Sequence, residues 1–191
     1  MLFRSVYLGA RLLGEGDIAG AGTGEGGAVL AAISTGSGGQ IFELKDGGAR
    51  ELFAFTTVGR TEVFFTGGYV FVSPAIGDAS VYNMRGELIR TFAENAQLTE
   101  TVMLGDTICA HYLVPSTARR YSLLLDKASL EPVALIGEFL GAAADGQLVL
   151  DNGTALESVP LLDTAQLIEL AEERLAGKQL TSDEKQRYKA W

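Results

Sequence analysis

Glycine-centred turns that return at a near-constant interval are the strongest constraint this chain places on its own fold. Val63-Phe64-Phe65-Thr66 and Tyr69-Val70-Phe71-Val72 flank Gly67-Gly68, the pattern of two β-strands joined by a two-residue turn that needs positive φ. Thr101-Val102-Met103-Leu104 turns at Gly105-Asp106 into Thr107-Ile108-Cys109-Ala110-His111-Tyr112, and Asp145-Gly146 leads into Gln147-Leu148-Val149-Leu150. Upstream, Gly26-Gly27 precedes Ala28-Val29-Leu30-Ala31-Ala32-Ile33. The corners at 26, 67, 105 and 145 stand 41, 38 and 40 residues apart. A spacing of that size is one supersecondary unit repeated along the chain.

A second series of hairpins falls between these corners, with more amphipathic segments, as expected of strands farther from a buried centre. Ile41-Phe42-Glu43-Leu44-Lys45 turns at Asp46-Gly47-Gly48, Ser80-Val81-Tyr82-Asn83 turns near Arg85-Gly86, and Leu123-Leu124-Leu125-Asp126 turns through Lys127-Ala128-Ser129. Val6-Tyr7-Leu8, Gly9-Ala10 and Arg11-Leu12-Leu13 open the chain as a further copy. Two alternating hairpins per unit make one four-stranded blade. The expected fold is therefore all-β: a propeller-like array of about four four-stranded blades over residues 1–162, either a closed small ring or an open arc. A β-sandwich without a radial repeat is the alternative architecture.

Composition agrees with a turn-rich β protein, since 24 glycines stand beside only 4 prolines. A chain of 191 residues with 47% apolar content has enough core to fold without disulfides or structural metal. Its one cysteine, Cys109, excludes an internal disulfide framework and fits a reducing, cytoplasmic compartment. Arg11 interrupts what would be the apolar stretch of a signal peptide, and no window approaches the ~20 apolar residues of a membrane span.

From Asp163 the periodicity becomes helical, with Leu167, Ala171 and Leu175 on one face. Asp163 with Gln166 and Thr181 with Glu184 are spaced as capping pairs, and Gly177 supplies a stop. Residues 163–191 are expected to form a short C-terminal helical tail docked on the β body.

Particular stretches resemble the WD-repeat family. Ser80 to Phe92 is similar to the third and fourth strands of such a repeat, with Tyr82-Asn83 at the Trp-Asp position; Leu125-Asp126 and Phe42-Glu43 are the counterparts. No Trp-Asp dipeptide and no Gly-His pair occurs. Leu167 to Leu175, followed by Leu180-Thr181-Ser182-Asp183-Glu184 and Tyr188, resembles the helical tail after WD repeats in large bacterial signal-transduction proteins, with Lys178-Gln179 where Arg-Asn is common. In those relatives the repeats serve as sensor or scaffold and chemistry belongs to another domain. The resemblance thus implies a non-enzymatic protein-interaction, sensor or scaffold module of a bacterial signalling or defence system.

Candidate chemistry is sparse. Gly22-Thr23-Gly24-Glu25-Gly26-Gly27 satisfies GxGxxG, yet no strong strand is expected before it and the apolar run after it is too short for a crossover helix, so it reads as a hairpin corner. Cys109 and His111 alternate along one strand and should share a face, within reach of a Cys-His dyad. An enzyme using these two with Asp145 in a propeller funnel is the rival reading. One Cys and one His cannot build a zinc site. Asp145 and Asp151-Asn152-Gly153 lack the ligand density of a calcium loop, and no Gly-x-Ser-x-Gly elbow supports serine hydrolysis. No residue is assigned a catalytic, cofactor-binding or metal-binding role.

Net charge is −9, and residues 164–191 carry five acids and five bases, so the whole excess lies on residues 1–163. The only adjacent basic pair is Arg119-Arg120, which leaves nothing to neutralise a phosphate backbone. Nucleic acid and membrane are excluded as expected partners. The expected partner is another protein chain, one that completes the β array.

Overall fold

The computed structural model describes residues 5–8, 11–45, 48–92, 96–142, 147–151 and 155–160, with Gln166, Glu169 and Glu173; at 5–8, 11–15, 25 and 138–142 it describes the backbone alone. Among these residues seventeen strands follow one another. A leading hairpin, β1 (Ser5–Leu8) and β2 (Arg11–Glu15), precedes three four-stranded antiparallel sheets. Sheet I is β3 (Asp17–Thr23), β4 (Val29–Thr35), β5 (Gly38–Lys45) and β6 (Gly48–Thr56). Sheet II is β7 (Thr61–Thr66), β8 (Tyr69–Pro74), β9 (Ala79–Asn83) and β10 (Leu88–Phe92). Sheet III is β11 (Gln97–Leu104), β12 (Thr107–Val114), β13 (Arg119–Asp126) and β14 (Pro132–Ile136). A three-stranded terminal sheet holds β15 (Glu138–Ala142), β16 (Gln147–Asp151) and β17 (Leu156–Pro160).

All eight hairpins expected from the turn spacing are present, in order and in the inner-outer alternation. The corner at Gly67-Gly68 shows why glycine marks them. Thr66 pairs with Tyr69 across two residues at φ +64° and +86°, a twist that suits the flanking strands and that side chains with a Cβ resist. The corner residues 9–10, 46–47 and 143–146 lie outside the described residues, although strands flank each of them.

The sheets stack face to face because the strands alternate. On β8, Val70 and Val72 join Ala32, Ile41, Phe55 and Val63 in the seam between sheets I and II, while Phe71 points the other way into the seam between II and III. That second seam is the main core, with Val81, Phe92, Leu98, Ile108, Tyr112 and Leu125 all buried. Burying a Leu, Ile or Phe contributes about 1.5 to 3 kcal/mol each. A third, smaller seam sets Leu148 of β16 against Leu104, Cys109 and Leu124.

The stack fans out from one side. First strands β3, β7 and β11 touch in succession, held so close that a Cβ on Gly20 would strike the Val63 carbonyl and one on Gly22 would meet Phe65 Cβ at 2.9 Å. Thr66 and Thr101 hydroxyls meet at 2.6 Å across β7 and β11. At the outer side the sheets splay and large groups bridge the gaps: the Phe53 and Tyr82 rings stand 5.7 Å apart, and Arg90 of β10 pairs with Glu131 at 2.7 Å. A fan of four-stranded antiparallel sheets converging on their first strands is propeller architecture.

Among the described residues the three full sheets are flanked by two smaller ones. The leading hairpin packs on β3 and β4, and β15 lies against β13. One correction concerns β3. No strong strand was expected before the GxGxxG stretch, but β3 is a full strand there; Gly20 and Gly22 have low strand propensity and are required by the approach of β7. The strand after the corner is β4, paired antiparallel with β3, so the hairpin reading of Gly26-Gly27 holds and no crossover helix exists to carry a dinucleotide. The tail from Asp163 lies outside the described residues except for Gln166, Glu169 and Glu173, which are exposed.

Candidate functional site

The residues singled out for chemistry do come together. Cys109 and His111 both project from β12 toward the terminal sheet, and Cys109 Sγ lies 3.7 Å from His111 Nε2. The register sets Glu100 of β11 and Ser122 of β13 on either side of His111. Ser122 Oγ is 2.9 Å from His111 Nδ1, and Ser122 is fully buried. The third side chain expected near them, Asp145, lies outside the described residues.

Burial decides what this trio can do. Cys109 is 0% exposed, and its surroundings push the thiol up to about 11, chiefly because a thiolate there would be stripped of water; a hydrogen bond with Ser122 opposes this and the Glu100 charge adds to it. At neutral pH about one thiol in 10⁴ would be ionised. The donor at each of the two His111 contacts follows from the imidazole tautomer. Each polar atom is matched, and the nucleophile is locked in its unreactive form.

The positions aligned with Trp-Asp fall into two classes. Asn83 ends β9 and Asp126 ends β13, and both organise the following turn through a side-chain oxygen. Asn83 Oδ1 accepts from the Arg85 and Glu87 amides at 2.9 and 3.0 Å. Asp126 Oδ1 accepts from the Ala128 and Ser129 amides and the Ser129 hydroxyl. These bonds hold the Asp126 carboxyl below its ordinary value. Glu43 behaves differently. It sits two residues inside the end of β5, where Lys45 and Arg50 approach its carboxylate at 3.0 and 2.8 Å.

A shallow groove of about 610 Å³ runs along the turn side between sheets II and III, lined by Gly67, Gly68, Tyr69, Asp106 and Asp126 to Ala128. The Lys127 amide donates to the Asp106 carbonyl at 3.0 Å, which ties the inner and outer corners of sheet III together. Among the described residues no three His, Cys, Asp or Glu side chains gather as a metal would require, and no helix is long and apolar enough to cross a membrane. Sequence reasoning missed Ser122, Thr66 with Thr101, and Arg90 with Glu131. Ser122 was within reach: counting back along β12 and β13 from their connection places it opposite His111. The other two pairs join different sheets, and no local pattern reports such contacts.

Neither a protein-family model nor a curated protein sequence matches the chain. Among solved structures it is similar to BamB from Moraxella catarrhalis, a β-propeller, with TM-score 0.51 and 17% identity over 81% of this chain and 52% of that one. The likeness is one of fold, and the chain spans about half the length of the propeller it matches.

Proposed function

We propose that this protein is a non-enzymatic interaction or scaffold module whose open propeller arc works by being completed by another protein surface. The observation that carries this reading is the incompleteness of the array among the described residues: three full sheets in a fan, flanked by a two-stranded hairpin and a three-stranded sheet, each short of a four-stranded blade. Sheets left open at the ends of a stack expose edges and faces that a closed ring would cover. The acidic β body favours a basic partner surface. The WD-like turns support a sensor or scaffold in a bacterial, cytoplasmic signalling system as the finer form of this proposal. Cross-linking mass spectrometry on complexes captured from the native host checks it. Partner cross-links concentrated on β1–β2 and β15–β17 are expected; cross-links confined to the turn side, or no captured partner, would overturn it.

The Cys109, His111 and Ser122 geometry keeps one enzymatic reading in view, and it is directly testable. His111→Ala is expected to leave the module's partner binding unchanged and to abolish no turnover. A folded His111→Ala protein that had lost a measured activity would replace the scaffold reading with an enzymatic one.

A further inference from the structure

We infer that Cys109 Sγ and His111 Nε2 form a two-ligand binding site for a soft monovalent cation of the Cu(I) class. These two are the only cysteine and the only histidine of the chain, and β12 brings them to one face with sulfur and nitrogen 3.7 Å apart. A d10 cation about 2.3 Å from a thiolate sulfur and about 2.0 Å from an imidazole nitrogen would see that pair at an angle of about 120°. The two ligands thus already stand at a trigonal angle. Among the described residues no third Cys, His, Asp or Glu completes a cluster with them. That leaves out an ion that demands four protein ligands, as structural zinc does, and leaves one that is content with two. Thiolate softness then selects Cu(I).

The neighbours favour such a cation over a lone thiolate or a dication. Coordination through Nε2 requires the imidazole proton on Nδ1, and the fully buried Ser122 Oγ stands 2.9 Å from Nδ1 to accept it, the outer-shell contact that orients a metal-bound histidine. Binding exchanges one proton for one cation: the Cys109 S–H bond breaks, the sulfur–metal bond forms, and the proton leaves to solvent. The formal charge of the seam is unchanged, whereas a dication would add a unit of charge where Leu104, Leu124 and Leu148 offer it no solvation. Glu100, opposite His111 in register, opposes a bare thiolate and attracts a cation held there. His111 is half-buried, so its imidazole side is the way in. The scaffold reading neither requires this site nor fails with it.

Anaerobic titration of the full chain with Cu(I) against a chromophoric Cu(I) chelator is the test, joined to copper-edge X-ray absorption on the loaded protein. One equivalent per chain is expected, with a sulfur and an imidazole nitrogen in its coordination shell and a proton released for each ion at neutral pH. Cys109→Ser abolishes the binding. His111→Gln, which keeps a hydrogen-bonding side chain, weakens it by about a hundredfold or more, and Ser122→Ala by about tenfold as an outer-shell change. The X-ray absorption on the unaltered chain reads the ligands even where a variant fails to fold. Complete loss of copper to the chelator overturns the inference, and so does a coordination shell without nitrogen. Equal affinity in a folded His111→Gln protein also overturns it, since that marks an adventitious ion on the thiol alone.

Discussion

The two faces of sheet III are built from the same strands and differ in almost everything else. Along β12, Ile108, Ala110 and Tyr112 enter the seam with sheet II, while Cys109 and His111 face the terminal sheet. Along β13 the division falls between neighbours: Leu123 and Leu125 join the first seam, Ser122 and Leu124 the second. The first seam is apolar and aromatic, with the Tyr112 and Tyr121 rings stacked 5.3 Å apart. The second has a small apolar patch and a hydrogen-bonded polar row. An array can therefore be rigid at its centre and less tightly held at its end without changing strand type, by giving odd and even positions different chemistry.

Adjacent leucines offer the sharpest way to break that comparison. Leu125→Ala is expected to cost about 4 kcal/mol and Leu124→Ala about 2 kcal/mol, both within the usual range for such truncations, because only the first faces a fully packed seam. Urea unfolding of both variants measures this, and equal losses would erase the distinction. Ser122→Ala comes next, at about 1 to 2 kcal/mol, since it removes the buried hydroxyl that meets His111 Nδ1; an unchanged unfolding midpoint would show that the polar row contributes nothing.

Cys109 gives a pH signature for the second seam. Its folded pKa is raised from 9.0 to about 11, so its contribution to stability is full below pH 9 and is lost as pH rises through the folded value. Cys109→Ala should flatten the alkaline decline between those limits, and an identical alkaline limb in both proteins would refute it. Asp126 gives the smallest effect and the opposite sign. Its carboxyl is held below the ordinary 3.8, so the stabilisation is present above that value and fades as pH falls through the lower folded one. Asp126→Ala should make the acid limb shallower; thermal scans in acidic buffers that show parallel limbs would remove the turn carboxylate from the account.

How much of this was legible beforehand depended on whether a feature is local. Gly67-Gly68 is a complete instruction, because two residues of positive φ between alternating apolar runs have few other uses. Cys109 and His111 could be placed on one face by parity alone, and they are. Asp126 was found by its place in the repeat, and the same reasoning misjudged Glu43, whose ion pairs lie on the strand and not in the turn. The strand β3 was hidden, since glycines chosen for a neighbour's approach look like turn residues when the neighbour is not in view.

By itself the sequence determined the number, order and corners of the hairpins and the side of each strand that carries apolar groups, because turn dihedrals and strand alternation are set by residues a few positions apart. Only the tertiary structure decided that the sheets stack as a fan, that burial disarms the thiol, and that Arg90 reaches Glu131. Those outcomes depend on distances between residues far apart in the chain, and they are settled when the sheets pack.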